Sequence, residues 1–264
     1  MEVTILGTGS AGNCTLIETE STTLLVDAGL SARQITTRLL AIGRTITDVD
    51  GILLTHEHSD HTGALGVLCR STPLPVYANR LTAEALTEGA EWKDRTRPSW
   101  RLFATGSAFA IGDLEIENFT VTHDAADTVG FCIRQRPTGH SIGVLTDLGH
   151  ATRLVLERVR NADALILEAN HDIKLLQDDT ARPWATKQRI LSRHGHLSND
   201  AAATVMQEIA SDRCRHVFLV HLSRDCNRPD LAKRTVADKL HKAGAHHITV
   251  EVSTQETPTP TLKL

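Results

Sequence analysis

The chain has 264 residues, 41% of them hydrophobic and 23% charged, with a formal net charge of −4. This balance is that of a soluble globular protein with one large core or two modest ones, and no segment approaches the roughly 18 uninterrupted apolar residues of a membrane helix. The acidic balance and the 3% aromatic content argue against a broad nonspecific grip on duplex nucleic acid and against base stacking as the main binding device.

The opening MEVTILGTGS lacks the basic region and apolar run of a signal peptide, so a cytoplasmic location with no membrane partner is expected. It reads as a strand (VTIL) entering a glycine turn (GTGSAGN), followed by strands CTLIE and TTLLVDAG. Ser31 caps a helix that runs to Leu40. DGILLTH is a buried strand that stops at a polar cluster. Gly63 to Arg70 is helical, PLPVYAN extended, and Leu81 to Glu88 helical. The second half continues the alternation with strands LEIENFTVTH, GFCIRQ, SIGVLTD, ADALILEAN, HVFLVHLS and HHITVEVS. Helices are expected over Ala151–Arg160, Ser198–Ser211 and Pro229–Ala243, and the Pro-rich stretch 254–264 reads as a linker-like tail. Strands mixed with helices throughout give an α/β protein, read as a single domain over 1–264. The five cysteines are scattered and form no CxxC pair, so they read as buried, reduced thiols.

Histidine is the unusual residue: there are 14, against one tyrosine. Several strands end in a group with chemical capability: His56, His123, Asp147, Glu168 with His171, and His221. Strand ends on one edge of a sheet are where sites are commonly assembled. The densest cluster is His56-Glu57-His58-Ser59-Asp60-His61. On an extended segment His56 and His58 point to one side. Asp60 and His61 follow as a helix begins and can turn toward a second ion. Imidazole and carboxylate suit zinc, manganese or iron.

The HxHxDH cluster, followed by a His, an Asp and a His at strand ends, resembles the metallo-β-lactamase superfamily over nearly the whole chain. The resemblance implies a four-layer αββα sandwich with two divalent metal ions (Zn2+, Mn2+ or Fe2+) along one edge. It implies that His56, His58 and His123 hold one metal, that Asp60, His61 and His221 hold the other, and that Asp147 bridges them. Metal-bound water ionises near neutral pH, and two ions can stabilise both the attacking and the leaving oxygen. Asp60 is the candidate to orient the bridging hydroxide or accept its proton.

Two further segments bear on the substrate. In Arg193-His194-Gly195-His196-Leu197-Ser198-Asn199, Ser198 is an N-cap candidate, and amides at a helix start favour phosphate. His196 can donate a proton to a leaving alkoxide or bind a phosphate oxygen there. In Leu167-Glu168-Ala169-Asn170-His171, the carboxylate of Glu168 can orient a histidine and keep it protonated. The pair Glu168 and His196 resembles the Glu and His that assist cleavage in tRNase Z and RNase J. GSAGNCT, VDAGLS, LTHEHSDHTGAL, LEANHD and HGHLSN, in that order, resemble the YycJ/WalJ-type exonucleases. That similarity implies a metal-dependent enzyme acting 5′ to 3′ on DNA ends. Glu168 and His196 are 28 positions apart, which leaves no room for a β-CASP insert. Candidate substrate contacts are Ser198, Asn199, Asn170 and Arg224. The alternatives are hydrolysis of a small cyclic phosphodiester, lactone or thioester, and a non-catalytic regulatory protein on the same fold. The second predicts lost ligands, and none is missing.

Overall fold

The computed structural model describes residues 1–89 and 98–264. Two seven-stranded sheets lie face to face. In chain order the first half contributes β1 (Glu2–Gly7), β2 (Cys14–Glu18), β3 (Thr23–Val26), β4 (Gly51–Leu53), β5 (Pro75–Asn79) and β6 (Ser99–Phe103). The second contributes β7 (Ala108–Ile111), β8 (Leu114–Thr120), β9 (Val129–Gln135), β10 (Ser141–Leu145), β11 (Ala164–Glu168), β12 (His216–Val220) and β13 (Thr249–Val252), and β14 (Leu262–Lys263) returns to the first sheet. The orders are β14-β1-β2-β3-β4-β5-β6 and β13-β12-β11-β10-β9-β8-β7. Each sheet starts as an antiparallel meander and becomes parallel, at β3–β4 in the first and β10–β11 in the second.

Side chains alternate between two hydrophobic layers, which is why the strands read as continuous apolar runs. Leu24 and Val26 face the other sheet and meet Ile166, Phe131 and Phe218. Leu25 faces outward onto Ile35 and Leu39 of α1 (Ala32–Ala41), beside α2 (Ser59–Thr62), α3 (Leu65–Ser71) and α4 (Arg80–Glu88). In the second sheet Ile166 faces inward, while Leu165 and Leu167 face outward onto a layer containing Val155 of α5 (Arg153–Val159). That layer includes Met206 and Val236, and is completed after α6 (Ile173–Asp178) and α7 (Trp184–Leu191) by α8 (Asn199–Ile209) and α9 (Pro229–Lys242). Helix, sheet, sheet, helix is the four-layer order expected. No helix among the described residues is long and apolar enough to cross a membrane.

Sequence periodicity missed β6, β7, α6, α7 and β14. The strands β6 and β7 bury only their last residues, so they lack a continuous apolar run. The stretch 254–264 differs most from its linker-like reading, because it is docked. β14 pairs antiparallel with β1, and Thr259 exchanges bonds with both backbone groups of Ile5. Pro258 and Pro260 interrupt no ladder, since they lie outside the two-residue strand at the sheet edge. Arg38 closes the strap: its guanidinium donates to Leu6 O at 2.7 Å and to Gln255 O and Glu256 O at 2.9 Å each. Replacing Arg38→Ala removes three charge-assisted bonds and is expected to cost about 2–4 kcal/mol. Thermal unfolding should show a fall in Tm of roughly 5–10 °C, and a fall under about 1 °C would mean the strap carries no stability.

Candidate metal centre

The site lies beyond the C-terminal ends of β3, β4, β8, β10, β11 and β12. Among the described residues three that are not glycine have a left-handed backbone: Asp27 (φ 60°), Asp147 (φ 55°) and His221 (φ 58°). Each follows a strand closely, and each turns a polar side chain into the same cleft. A left-handed conformation costs a side-chain-bearing residue roughly 1–2 kcal/mol, so the surrounding structure holds these three in place. The turn at Gly29 also matters. A Cβ there would lie 1.5 Å from Asp60 O, so only glycine lets the loop after β3 approach the helix-start backbone that carries Asp60 and His61. Ala28 N donates to His61 O at 2.8 Å across this contact, and Asn13 N donates to Asp60 O at 2.8 Å.

Four imidazoles are held from behind through Nδ1. His61 Nδ1 donates to Asp27 Oδ2 at 2.7 Å, and His221 Nδ1 donates to Glu168 Oε1 at 2.8 Å. His123 Nδ1 donates to Gly195 O at 3.2 Å, and His56 Nδ1 lies 3.0 Å from Thr55 Oγ1. A bond at Nδ1 fixes the tautomer and leaves Nε2 with its lone pair, the state a metal ligand needs. His56 Nε2 and His123 Nε2 are buried without a hydrogen-bond partner. An orphaned buried nitrogen is costly unless a cation or donor satisfies it.

The ligand-capable atoms fall into groups whose members lie within 4.8 Å of one another: His56, His58 and His123; Asp60, His61, Asp147 and His221; and Asp147, Glu168, His196 and His221. The rings of His58 and His123 are 5.1 Å apart between centroids, and those of His61 and His221 are 5.9 Å apart. Asp147 is 2% exposed and sits between the first two groups. Its Oδ2 is 3.0 Å from His61 Nε2, and its Oδ1 is 3.8 Å from His123 Nε2. Asp60 Oδ2 lies 3.3 Å from His221 Nε2. The structure therefore brings together His56, His58, Asp60, His61, His123, Asp147 and His221 from four separate segments, and their donor chemistry fits divalent cations.

Electrostatics follow from this crowding. Burial alone would raise the Asp147 carboxyl, but His221 and His61 outweigh it and hold it well below the usual carboxylate range. Asp60 is likewise held low, because hydrogen bonds from His221 and His61 overcome its desolvation. Burial pushes the His56 and His123 imidazoles down, so they stay neutral. His61 and His221 are raised despite burial, chiefly by Asp147, and a cation bound there would replace their protons.

Glu168 is fully buried. Its Oε1 accepts from His196 Nδ1 at 2.7 Å and from His221 Nδ1 at 2.8 Å, and its Oε2 accepts from Leu148 N at 3.1 Å and Leu197 N at 3.0 Å. Burial opposes its charge, yet His196 beside it holds the carboxyl down at about 2. The same contact raises His196 against its own burial. His196 lines an open cavity with its Nδ1 engaged, which leaves Nε2 as its free nitrogen.

The expected substrate contacts divide. Asn170 and His196 line the same cavity, although the Asn170 amide also donates to His221 O at 2.9 Å. Arg224 is exposed at a neighbouring cavity and pairs with Glu256 at 3.2 Å. The Ser198 hydroxyl caps α8 by accepting from Ala201 N, and Asn199, 1% exposed, exchanges side-chain bonds with Asn227 at 2.9 Å. Both side chains take part in the fold's own hydrogen bonds. His171 is buried with neither nitrogen partnered, and burial pushes it down to about 4. It stands outside the ligand groups. Sequence reasoning missed Asp27, which orients His61, and Asn13, whose Nδ2 lies 3.0 Å from His61 Nε2 and 3.3 Å from Asp60 Oδ2.

A family model described as "Beta-lactamase superfamily domain" matches residues 22–222. The chain is 37% identical over 244 residues to Exodeoxyribonuclease YycJ of Bacillus anthracis, covering 92% of this chain and 90% of that one. It is 40% identical over 240 residues to Exodeoxyribonuclease WalJ of Streptococcus pneumoniae, covering 90% and 88%. The metallo-β-lactamase fold protein YhfI of Bacillus subtilis superposes with a TM-score of 0.72 at 17% identity, covering 98% of each chain, which speaks for the fold alone. With the model spanning most of the chain and these relatives nearly all of it, the protein belongs to the metallo-β-lactamase superfamily.

Proposed function

We propose that the protein is a two-cation phosphodiesterase that removes nucleotides from the 5′ ends of DNA. The observation that carries this reading is the adjacency of two ligand groups, joined by Asp147, to His196 on the cleft wall and the buried Glu168 behind it. His56, His58 and His123 would hold one ion, Asp60, His61 and His221 the other, and Asp147 would lie between. The ions, when bound, supply positive charge and a water ionised near neutral pH. The chain's own groups do the rest. Asp60, held as a carboxylate, accepts a hydrogen bond from the attacking water and orients it. Glu168 keeps His196 protonated, and His196 donates from Nε2 to the departing sugar oxygen. Asn170 and Arg224 sit where they can meet the strand. The relatives named exodeoxyribonuclease support DNA as the substrate and the 5′-to-3′ direction accords with the resemblance to that group.

End-labelled duplex DNA and bis(4-nitrophenyl) phosphate, each with Mn2+ or Zn2+, provide the test. Release of labelled mononucleotide from the 5′ end is expected. Hydrolysis of the small ester without loss of DNA ends would instead establish the small-molecule hydrolase. Inactivity on both would favour a non-catalytic role.

A further inference from the structure

Between Glu168 and His196 the chain makes one short excursion, α6 and α7, where a clamp domain would otherwise attach. In an acidic protein this excursion is locally basic: from Thr180 to Gly195 it carries Arg182, Lys187, Arg189 and Arg193 and no acidic residue. Thr186 and Arg189, three apart on α7, and Arg182, just ahead of it, line one cavity of about 180 Å3. Ser10, Asn170 and His196 line the same cavity, so it opens onto the imidazole proposed to protonate the leaving oxygen.

Both guanidinium groups are fixed in place. Arg182 donates through Nη1 to Asp179 Oδ2 at 2.7 Å and through Nη2 to Asp225 Oδ2 at 2.8 Å. Arg189 donates through Nε to Asp124 Oδ2. A guanidinium has five N–H donors, so Arg182 keeps Nε–H and one hydrogen on each Nη, and Arg189 keeps both Nη groups. Asp124 directly follows His123 in the chain, so its contact sets Arg189 beside the loop bearing a proposed metal ligand. Pre-oriented forks with unused donors beside a hydroxyl suit the tetrahedral oxygens of a phosphate.

We propose that this cavity holds a phosphate of the polynucleotide strand next to the scissile one, with Arg182, Thr186 and Arg189 as its donors. The inference rests on the nuclease reading above. It supplies the grip that the missing clamp leaves unexplained: α7 holds the strand in register so that the next phosphodiester meets His196.

Arg189→Ala, Arg189→Lys and Thr186→Val test it, with KM and kcat measured on end-labelled DNA across a salt series and on bis(4-nitrophenyl) phosphate. Arg189→Ala should raise KM for DNA about tenfold more than KM for the ester, which has no neighbouring phosphate. It should also lower the slope of log KM against log salt by about one, and Arg189→Lys should restore that slope. Thr186→Val, a nearly isosteric loss of one donor, should raise KM for DNA in the same direction. Equal losses of kcat on both substrates with KM and slope unmoved would mean a purely structural role and overturn the proposal. So would wild-type digestion of DNA matched by all three variants, with the nuclease reading intact. If the wild type cleaves the ester and leaves DNA whole, the nuclease reading falls and takes this one with it.

Discussion

Replacing Asp147→Asn is expected to lower kcat/KM by roughly 10^4-fold or more, the scale on which cooperating catalytic groups fail when one is removed. Asparagine is the informative substitution because Asp147 has φ 55°, and asparagine tolerates that left-handed backbone. The shape of the site survives and the negative charge between His61 Nε2 and His123 Nε2 disappears. Two cations held close together repel strongly, and a buried carboxylate between them is the main offset. Metal content should therefore fall together with activity. A variant retaining activity within tenfold of wild type would show that Asp147 is not shared between two ions.

The second large effect separates proton delivery from ligand support. His196→Ala removes the proposed donor and should cost about 10^2–10^4-fold in kcat while leaving metal content intact. Glu168→Gln should cost as much and also weaken metal binding about 10–100-fold. The difference follows from geometry. Glu168 Oε1 receives both His196 and His221, whereas Oε2 receives two backbone N–H groups. A glutamine has one accepting oxygen, so it must abandon one pair of donors. Titration of each variant with Mn2+, read by both activity and a direct binding signal, distinguishes them. Equal metal affinity in the two variants would confine Glu168 to the positioning of His196.

The ligand cluster was legible because its chemistry is dense in sequence: four potential ligands fall between His56 and His61. His123, Asp147, Glu168 and His221 were legible by a different signal, a polar group closing each apolar strand. Asp27 also closes an apolar strand, but nothing near it in sequence pairs it with a histidine. It is a single aspartate before Ala-Gly, the composition of an ordinary turn, and only the fold shows its Oδ2 behind His61. The left-handed backbone of Asp27, Asp147 and His221 has no sequence mark at all, since glycine is absent where strain is imposed by packing. The helix cap at Ser198 was legible from the residue type alone. The α/β class followed from strands alternating with helices, and the four-layer order from the resemblance to the metallo-β-lactamase superfamily. The excursion through α6 and α7 did not, because short, polar helices of six and eight residues carry little periodicity. The docked tail was hidden by its prolines, which suit a sheet edge as well as a linker.

Metal analysis of the wild-type chain, reconstituted with Mn2+ or Zn2+ and freed of loosely bound ions, tests the central claim most directly. Two equivalents per chain are expected, with chelation abolishing activity and restoration tracking the return of the second ion. Full phosphodiesterase activity in protein carrying no divalent metal, or unaltered metal content after His56→Ala and His61→Ala replacement, would contradict it.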